Sequence, residues 1–137
     1  SGRLVAHFGG LPSPDALADS SVATLASLGL PGARARALIG LADAWRRGGI
    51  DCGPGSDPDT LVAALVELPG IGPWTAAYLS MRALHFPDAL PASDLALRKA
   101  LGGISAREVE ARAEVWRPWR AYAALHLWTA LGRGELP

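Results

Sequence analysis

The stretch that most constrains the fold is Leu68-Pro69-Gly70-Ile71-Gly72-Pro73-Trp74-Thr75-Ala76, in which two glycines and two prolines stand between apolar runs. Apolar residues recur at helical spacing on both sides of it. The pattern predicts two helices joined by a very short hairpin, over residues 60–84. Gly70 and Gly72 are expected to supply positive φ and close backbone approach, and Pro73 suits the first turn of the second helix. The free amides of that helix predict a phosphate site, and the simpler alternative is an ordinary helix–helix turn.

Length and composition set the fold class. The chain has 137 residues, half of them apolar, which is enough for one domain with a real core over residues 1–137. Apolar and polar residues nowhere alternate long enough to make a strand. The sequence therefore predicts an all-α protein, a compact helical bundle that contains a helix-hairpin-helix motif.

Charge and cysteine content limit the function. The formal net charge is zero, so binding of nucleic acid must depend on local geometry and not on a basic surface. Cys52 is the only cysteine, which excludes a disulfide framework and a cysteine-ligated zinc or iron–sulfur site. No apolar run is long enough to span a membrane. We expect a reducing cytoplasm and no membrane partner.

Asp94 is the first candidate functional residue. A Pro-rich segment, residues 85–91, breaks helical periodicity and leads to Asp94, which stands directly before the next apolar run. From the pattern alone, Asp94 is either a helix N-cap or a functional carboxylate.

Aromatic residues are the second candidate set, and they either fill the core or line a pocket. Trp119 and Trp128 lie nine residues apart, which places them on opposite faces of one helix. His126, between them, has no other ligand residue at suitable spacing, so we expect a packed histidine without chemistry.

Together these residues resemble the helix-hairpin-helix DNA glycosylases (HhH-GPD). The hairpin followed by Leu90-Pro91-Ala92-Ser93-Asp94 is similar to the Gly/Pro-rich segment and aspartate of that superfamily. The C-terminal stretch, Trp116-Arg117-Pro118-Trp119-Arg120-Ala121-Tyr122 with Leu125-His126-Leu127-Trp128, is similar to that of the 3-methyladenine DNA glycosylase II (AlkA-like) family. The resemblance covers nearly the whole chain, with its motifs in the right order.

The resemblance implies a base-excision repair enzyme that flips an alkylated purine, of the 3-methyladenine type, out of double-stranded DNA and hydrolyses its N-glycosidic bond. It implies that Asp94 is the catalytic carboxylate and that Trp128 stacks on the base, with Trp74 and Tyr78 as further pocket walls. In bifunctional relatives a lysine that forms a Schiff base stands at the position of Trp74. We therefore expect a monofunctional glycosylase, without strand cleavage.

The resemblance also implies contacts outside the base pocket. DNA-backbone contacts are expected from the amides of Gly70 and Gly72 and from Thr75, Arg98 and Lys99, although such charged residues are commonly solvated helix faces. Arg117 and Arg120 are equally well explained as structural residues. No cofactor is expected for catalysis. A structural monovalent cation, Na⁺ or K⁺, is expected on the backbone carbonyls of Val66, Leu68 and Ile71.

Two departures and two alternatives qualify the resemblance. Relatives carry an N-terminal subdomain and helices ahead of the matched part, so we expect this chain to be part of a longer, monomeric bacterial protein that acts at the nucleoid. Leu95 replaces an aromatic residue that follows the aspartate in relatives, which leaves the base preference open. The main alternative is a non-catalytic helix-hairpin-helix module that binds the DNA backbone and needs neither Asp94 nor Trp128. A helical interaction domain is the weaker one.

Overall fold

A computed structural model describes residues 2–53 and 55–136 of the chain. These residues form helices and connecting turns, with no strand among them, so the predicted all-α fold is confirmed. The chain divides into two compact units. The first unit comprises Ser1–Asp51 and Ala63–Ile71, and the second unit comprises Cys52–Val62 and Gly72–Pro137.

The first unit begins with four helices: α1 (Gly2–Phe8), α2 (Pro14–Ala18), α3 (Val22–Ser27) and α4 (Gly32–Arg46). Serine side chains cap two of these helices at their N-termini. Ser13 accepts a hydrogen bond from the amide of Ala16, and Ser21 accepts one from the amide of Thr24. The helices pack through small and aliphatic side chains, with Leu25 and Ala35 completely buried.

Helix α5 (Pro58–Val66) leads into the hairpin, and its last four residues belong to the first unit. Gly70 has φ +88°, as predicted for the turn, and the amide of Ile71 bonds to the carbonyl of Leu68 at 3.0 Å. A Cβ on Gly70 would lie only 3.0 Å from Cβ of Ala37 in α4. The hairpin turn therefore requires glycine at position 70 both for its backbone angle and for its close approach to α4.

The second unit holds α6 (Pro73–Ala83), α7 (Leu95–Ala100), α8 (Ala106–Ala113), a 3₁₀ turn (Glu114–Trp116) and α9 (Arg120–Gly132). Ser105 and Glu108 form a capping box at the start of α8. The core lies between α6, α7, α8 and α9, and its buried members are Met81, Ala89, Ala92, Leu97, Val109, Ala121 and Ala124.

The last helix starts two residues after Pro118. Proline suits the first turn of a helix, but the amide of Trp119 bonds to the carbonyl of Trp116 at 2.7 Å, which closes the preceding turn, so α9 begins at Arg120. Within the described residues, no helix is both long and apolar enough to cross a membrane.

Candidate active site

The start of α6 presents two aromatic rings. Gly72 is the N-cap of this helix and Pro73 is its first residue, which places Trp74 in the first turn and Tyr78 one turn later. Their rings are stacked, with centroids 5.3 Å apart and planes within 8° of parallel. The Trp74 side of this stack is open to solvent, since Trp74 is 39% exposed.

Gly72 differs from the prediction. Its φ of −91° and ψ of 173° are extended, and a Cβ built on it would meet nothing within 4 Å. Positive φ was expected at both hairpin glycines, but only Gly70 has it, because Gly72 must take the extended backbone of a helix N-cap.

Asp94 is positioned by the non-helical segment between α6 and α7. The segment is held to α6 by a hydrogen bond from the amide of Phe86 to the carbonyl of Ser80, and Pro91 within it is fully buried. Asp94 then caps α7, with Oδ1 accepting the amide of Leu97 at 2.8 Å. The N-cap role that the sequence pattern suggested is therefore confirmed, and the carboxylate is half-buried.

Two indole nitrogens bind the same carboxylate. Trp74 donates from Nε1 to Oδ2 of Asp94, and Trp128 donates from Nε1 to Oδ1, each at 2.8 Å. Trp128 comes from α9 and packs against the core, with its ring 6.4 Å from that of Tyr78. The structure thus brings together Asp94, Trp74, Tyr78 and Trp128, which we call the Asp94 cluster.

The hydrogen bonds leave the carboxylate one open position. An ionised carboxylate has about four lone-pair sites, two on each oxygen. Among the described residues, Oδ1 accepts from Leu97 and Trp128, whereas Oδ2 accepts from Trp74 only. One lone pair of Oδ2 is available for a substrate or a water molecule.

Among the described residues, the side chains predicted to contact the DNA backbone make no hydrogen bond to the side chains of the Asp94 cluster, although the amide of Arg98 bonds to the carbonyl of Asp94 at 2.9 Å. Arg98 is engaged locally, since its Nε donates to the carbonyl of Ile104 at 2.8 Å, while Lys99 is exposed on α7. Thr75 is half-buried in the first turn of α6. Leu95, next to the carboxylate, is 76% exposed.

The C-terminal helix agrees with its predicted faces only in part. Trp119 is 58% exposed and Trp128 packs inward, as their spacing predicts. His126 was expected to be packed and is exposed. Positions 124 and 128 carry the buried side of α9, and position 126 lies about 180° away from their mean direction, so it faces solvent.

Sequence reasoning missed Asp88. This residue is 7% exposed, and its carboxylate binds Arg117 together with Nε and Nη2 of Arg120, the latter two bonds at 2.7 and 2.8 Å. Burial by itself would raise the pKa of Asp88, but the hydrogen bonds and charge of Arg120, with the charge of Arg117, hold the pKa below its usual value. The signal in the sequence was the pair of arginines, Arg117 and Arg120, in a short C-terminal motif, since two such residues close together can indicate a buried acidic partner.

A surface cavity of about 400 Å³ lies beside this ion-pair group, and its walls include Phe86, Leu90 and Glu110; Asp94 does not line it. Within the described residues, no group of three or more His, Cys, Asp or Glu side chains is arranged to hold a metal ion. The distinctive chemistry of the second unit is therefore the Asp94 cluster. A helical fold, a glycine hairpin and a helix-capping aspartate between two tryptophans together are the combination of features that resembles the helix-hairpin-helix DNA glycosylases.

Known proteins of similar sequence agree with this class. The chain is 36% identical over 121 residues to DNA-3-methyladenine glycosylase 2 of Escherichia coli, which covers 88% of this chain and 43% of that protein. It is 39% identical over 147 aligned residues to a probable bifunctional transcriptional activator/DNA repair enzyme AlkA of Mycobacterium tuberculosis, covering 96% of this chain and 29% of that protein. The chain thus spans less than half the length of these relatives. No protein-family model matches it.

Solved structures give the same result. The fold superposes on the 3-methyladenine DNA glycosylase Mag1 of Schizosaccharomyces pombe, solved with abasic DNA, with a TM-score of 0.80 and 25% identity, over 89% of this chain and 64% of that one. It also superposes on a DNA-3-methyladenine glycosidase of Bacillus halodurans, with a TM-score of 0.78 and 26% identity, over 96% of this chain and 65% of that one. In sequence and in fold the chain is therefore similar to DNA-3-methyladenine glycosylases, including proteins of the AlkA type.

Proposed function

We propose that this chain is the glycosylase domain of a base-excision repair enzyme that hydrolyses the N-glycosidic bond of alkylated purines in double-stranded DNA. The observation that carries the proposal is the binding of Asp94 by two indole N–H groups from different helices. A residue that only caps a helix needs neither bond, whereas a catalytic carboxylate must be held in one orientation. The names of its relatives support the same activity.

Asp94 is the catalytic residue in this proposal. When the purine leaves, positive charge develops at C1′ of the deoxyribose, and a fixed carboxylate about 3 Å away stabilises that charge. Oδ2 provides the contact with C1′ while the bond to the purine breaks, and once the base has left, its open lone pair accepts a hydrogen bond from the water whose oxygen adds to C1′. A base within the helical stack cannot reach such a group, so the nucleotide must first be flipped out of the duplex.

The aromatic residues of the Asp94 cluster form the base pocket. Trp128, Trp74 and Tyr78 present electron-rich rings around the carboxylate. Alkylation of a ring nitrogen makes a purine cationic, which improves it as a leaving group and strengthens its attraction to such rings. The proposal therefore favours substrates of the 3-methyladenine type.

The chemistry expected is monofunctional. A Schiff base requires a primary amine at C1′, and the indole of Trp74 cannot supply one. The product is then an intact strand with an abasic site.

The hairpin and α7 would hold the DNA. The amides of Gly70 and Gly72 suit a phosphate, and the side chains that would add to this contact are Thr75, Arg98 and Lys99. Arg98 can use only the part of its guanidinium that is not bonded to Ile104.

A monovalent cation, Na⁺ or K⁺, is proposed for the hairpin turn. The carbonyls of Val66, Leu68 and Ile71 are hard oxygen donors, which suit such an ion. The Leu68 carbonyl accepts one amide within the turn and retains a second lone pair. The ion would stabilise the turn and take no part in bond cleavage.

The full-length protein would act as a monomer on chromosomal DNA, in the cytoplasm of a bacterium and at its nucleoid. A second candidate function is a helix-hairpin-helix module that binds the DNA backbone without catalysis. The exposed Lys99 and the hairpin would suffice for that role, but the tryptophan contacts of Asp94 would then have no purpose.

Release of free bases distinguishes the two. Full-length protein is incubated with N-methylated duplex DNA, and the supernatant is analysed by chromatography for 3-methyladenine and 7-methylguanine. The proposal predicts free methylated purine and strand breaks only after alkali. Binding without release would favour the non-catalytic module, while alkali-independent breaks or borohydride-trapped protein–DNA complexes would contradict the monofunctional mechanism.

A further inference from the structure

Trp74 makes a contact that a pocket wall does not require. Its Nε1 lies 2.8 Å from Oδ2 of Asp94, which is a normal length for a hydrogen bond to a carboxylate. The residue therefore has two separable features: a ring face and a directed N–H group.

The two oxygens of Asp94 are bonded unequally. Oδ1 accepts from Leu97 and from Trp128, so both of its lone pairs are in use. Oδ2 accepts from Trp74 alone within the part of the chain that the structure describes. Any group that reacts with the carboxylate in its observed position must approach Oδ2, the oxygen that Trp74 holds.

Trp74 is itself restrained. It stands two residues after the N-cap Gly72, where the backbone of α6 is already fixed. Its ring lies parallel to that of Tyr78, so rotation of the indole would break the stack. The direction of its N–H is therefore set before any substrate binds.

We propose that Trp74 is a positioning residue: its indole N–H fixes the plane of the Asp94 carboxylate so that the open lone pair of Oδ2 faces the scissile bond. This inference rests on the proposed function. Without the hydrogen bond from Trp74, the carboxylate is held at Oδ1 alone, by Leu97 and Trp128. Oδ2 can then rotate away from C1′. A small error of position at a reacting centre is enough to slow the chemical step greatly.

The first test separates the N–H group from the ring. Trp74→Phe keeps an aromatic ring against Tyr78 and removes the donor, and the matched control is Trp119→Phe on the exposed start of α9. Single-turnover release of 3-methyladenine by full-length Trp74→Phe is expected to slow roughly tenfold to a hundredfold, with KM and the Kd for DNA containing an abasic-site analogue nearly unchanged. Trp119→Phe should react at the wild-type rate.

A second substitution guards against a folding defect. Replacement of Trp74 by 3-benzothienylalanine keeps the bicyclic shape and the stack on Tyr78, but a sulfur atom replaces the N–H. The same loss of rate is expected. If Trp74→Phe is slow but the 3-benzothienylalanine variant reacts at the wild-type rate, the shape of the side chain matters and not its hydrogen bond. That result would overturn the proposal.

Nuclear magnetic resonance tests the geometry without activity. The chain has five tryptophans, hence five indole ¹H–¹⁵N resonances, and Asp94→Asn should shift the two that belong to Trp74 and Trp128. An unmoved Trp74 resonance, or a wild-type rate in Trp74→Phe, would overturn the positioning role while base release by the wild type stands. A wild-type protein that releases no base would overturn the proposed function, and the role of Trp74 with it, even if both resonances shift.

Discussion

Arg120 binds the buried carboxylate of Asp88 through two hydrogen bonds, from Nε to Oδ1 and from Nη2 to Oδ2, across 32 residues of the chain. The amide of Ala121 adds a 2.9 Å bond to the carbonyl of Pro87. These contacts fasten the segment that leads to Asp94 onto the start of α9, the helix that carries Trp128. The geometry of the Asp94 cluster therefore depends on an ion pair outside it.

Removing the charge of Asp88 should destabilise the protein. Asp88→Asn leaves the guanidinium of Arg120, only 15% exposed, with the more distant Glu114 at 3.6 Å as its carboxylate partner, and the expected loss in free energy of unfolding is about 3 kcal/mol. Urea denaturation measures it. Asp19→Asn, whose partner Arg46 is exposed, is the control and should hardly move the midpoint. Equal, small effects of the two substitutions would show that the Asp88 pair is not a structural requirement.

The same carboxylate predicts an acid-sensitive stability. Because the pKa of Asp88 is lower in the folded protein than its ordinary value near 3.8, the unfolded chain binds more protons in acid. The stabilisation is complete above about pH 4 and is lost as the pH falls through the lowered pKa. Urea denaturation of the wild type, measured between pH 2 and 7, should give lower midpoints at the acid end of this range.

Asp88→Asn should reduce the fall of the urea midpoint at low pH but not abolish it. The cap bonds from Thr60 and Ser105 also lower the pKa values of Asp57 and Glu108, and these contribute in the same direction. If the urea midpoints of variant and wild type fall equally at low pH, the group that causes the loss of stability is not Asp88.

The hairpin glycines should respond oppositely to the same substitution. Gly70→Ser forces a side chain onto a backbone with φ +88° and against Cβ of Ala37, and should cost about 2 kcal/mol of stability. Gly72→Ser enters open space on an extended N-cap, where the hydroxyl can accept the amide of Thr75, so stability should hold or rise slightly. Thermal unfolding of the two variants compares them. If both lose the same stability, the distinction between the two positions is wrong.

These glycines illustrate what the sequence can predict. The number and order of helices around the hairpin follow from local periodicity, and the N-cap role of Asp94 follows from its place directly before an apolar run; its Oδ1 accepts a hydrogen bond from the amide three residues later. Gly72 was misjudged because glycine tolerates both positive φ and an extended cap, so residue type alone does not distinguish them.

The Asp94 cluster shows where local pattern ends. The family resemblance selected Asp94, Trp74, Tyr78 and Trp128, and the structure brings all four together. It could not reveal that both indoles point their nitrogens at one carboxylate, since this depends on side-chain orientation across 20 and 34 residues. The role of Asp88 was not predicted from the sequence for the same reason, since its partners lie 29 and 32 residues away.

Lys99 tests the proposed contact with the DNA backbone. It is exposed on α7, and loss of one phosphate contact should weaken binding to any duplex and lower the slope of log K against log salt by about 1. Fluorescence anisotropy over a range of salt concentrations measures the Lys99→Ala variant. Arg107→Ala, an exposed charge removed from α8, is the control and should keep the wild-type slope. A Lys99→Ala slope equal to wild type would remove this residue from the interface.

Single-turnover release of 3-methyladenine by wild type, Asp94→Asn and Asp57→Asn tests the catalytic assignment most directly. Asp57 is also an aspartate at a helix start and accepts the amide of Thr60 at 2.8 Å, so both substitutions keep an oxygen for the cap and remove one charge. We expect Asp94→Asn to release base at least about a hundredfold more slowly, with DNA binding and thermal stability retained, and Asp57→Asn to match the wild type. Release at the wild-type rate by Asp94→Asn would contradict the assignment of Asp94 as the catalytic carboxylate.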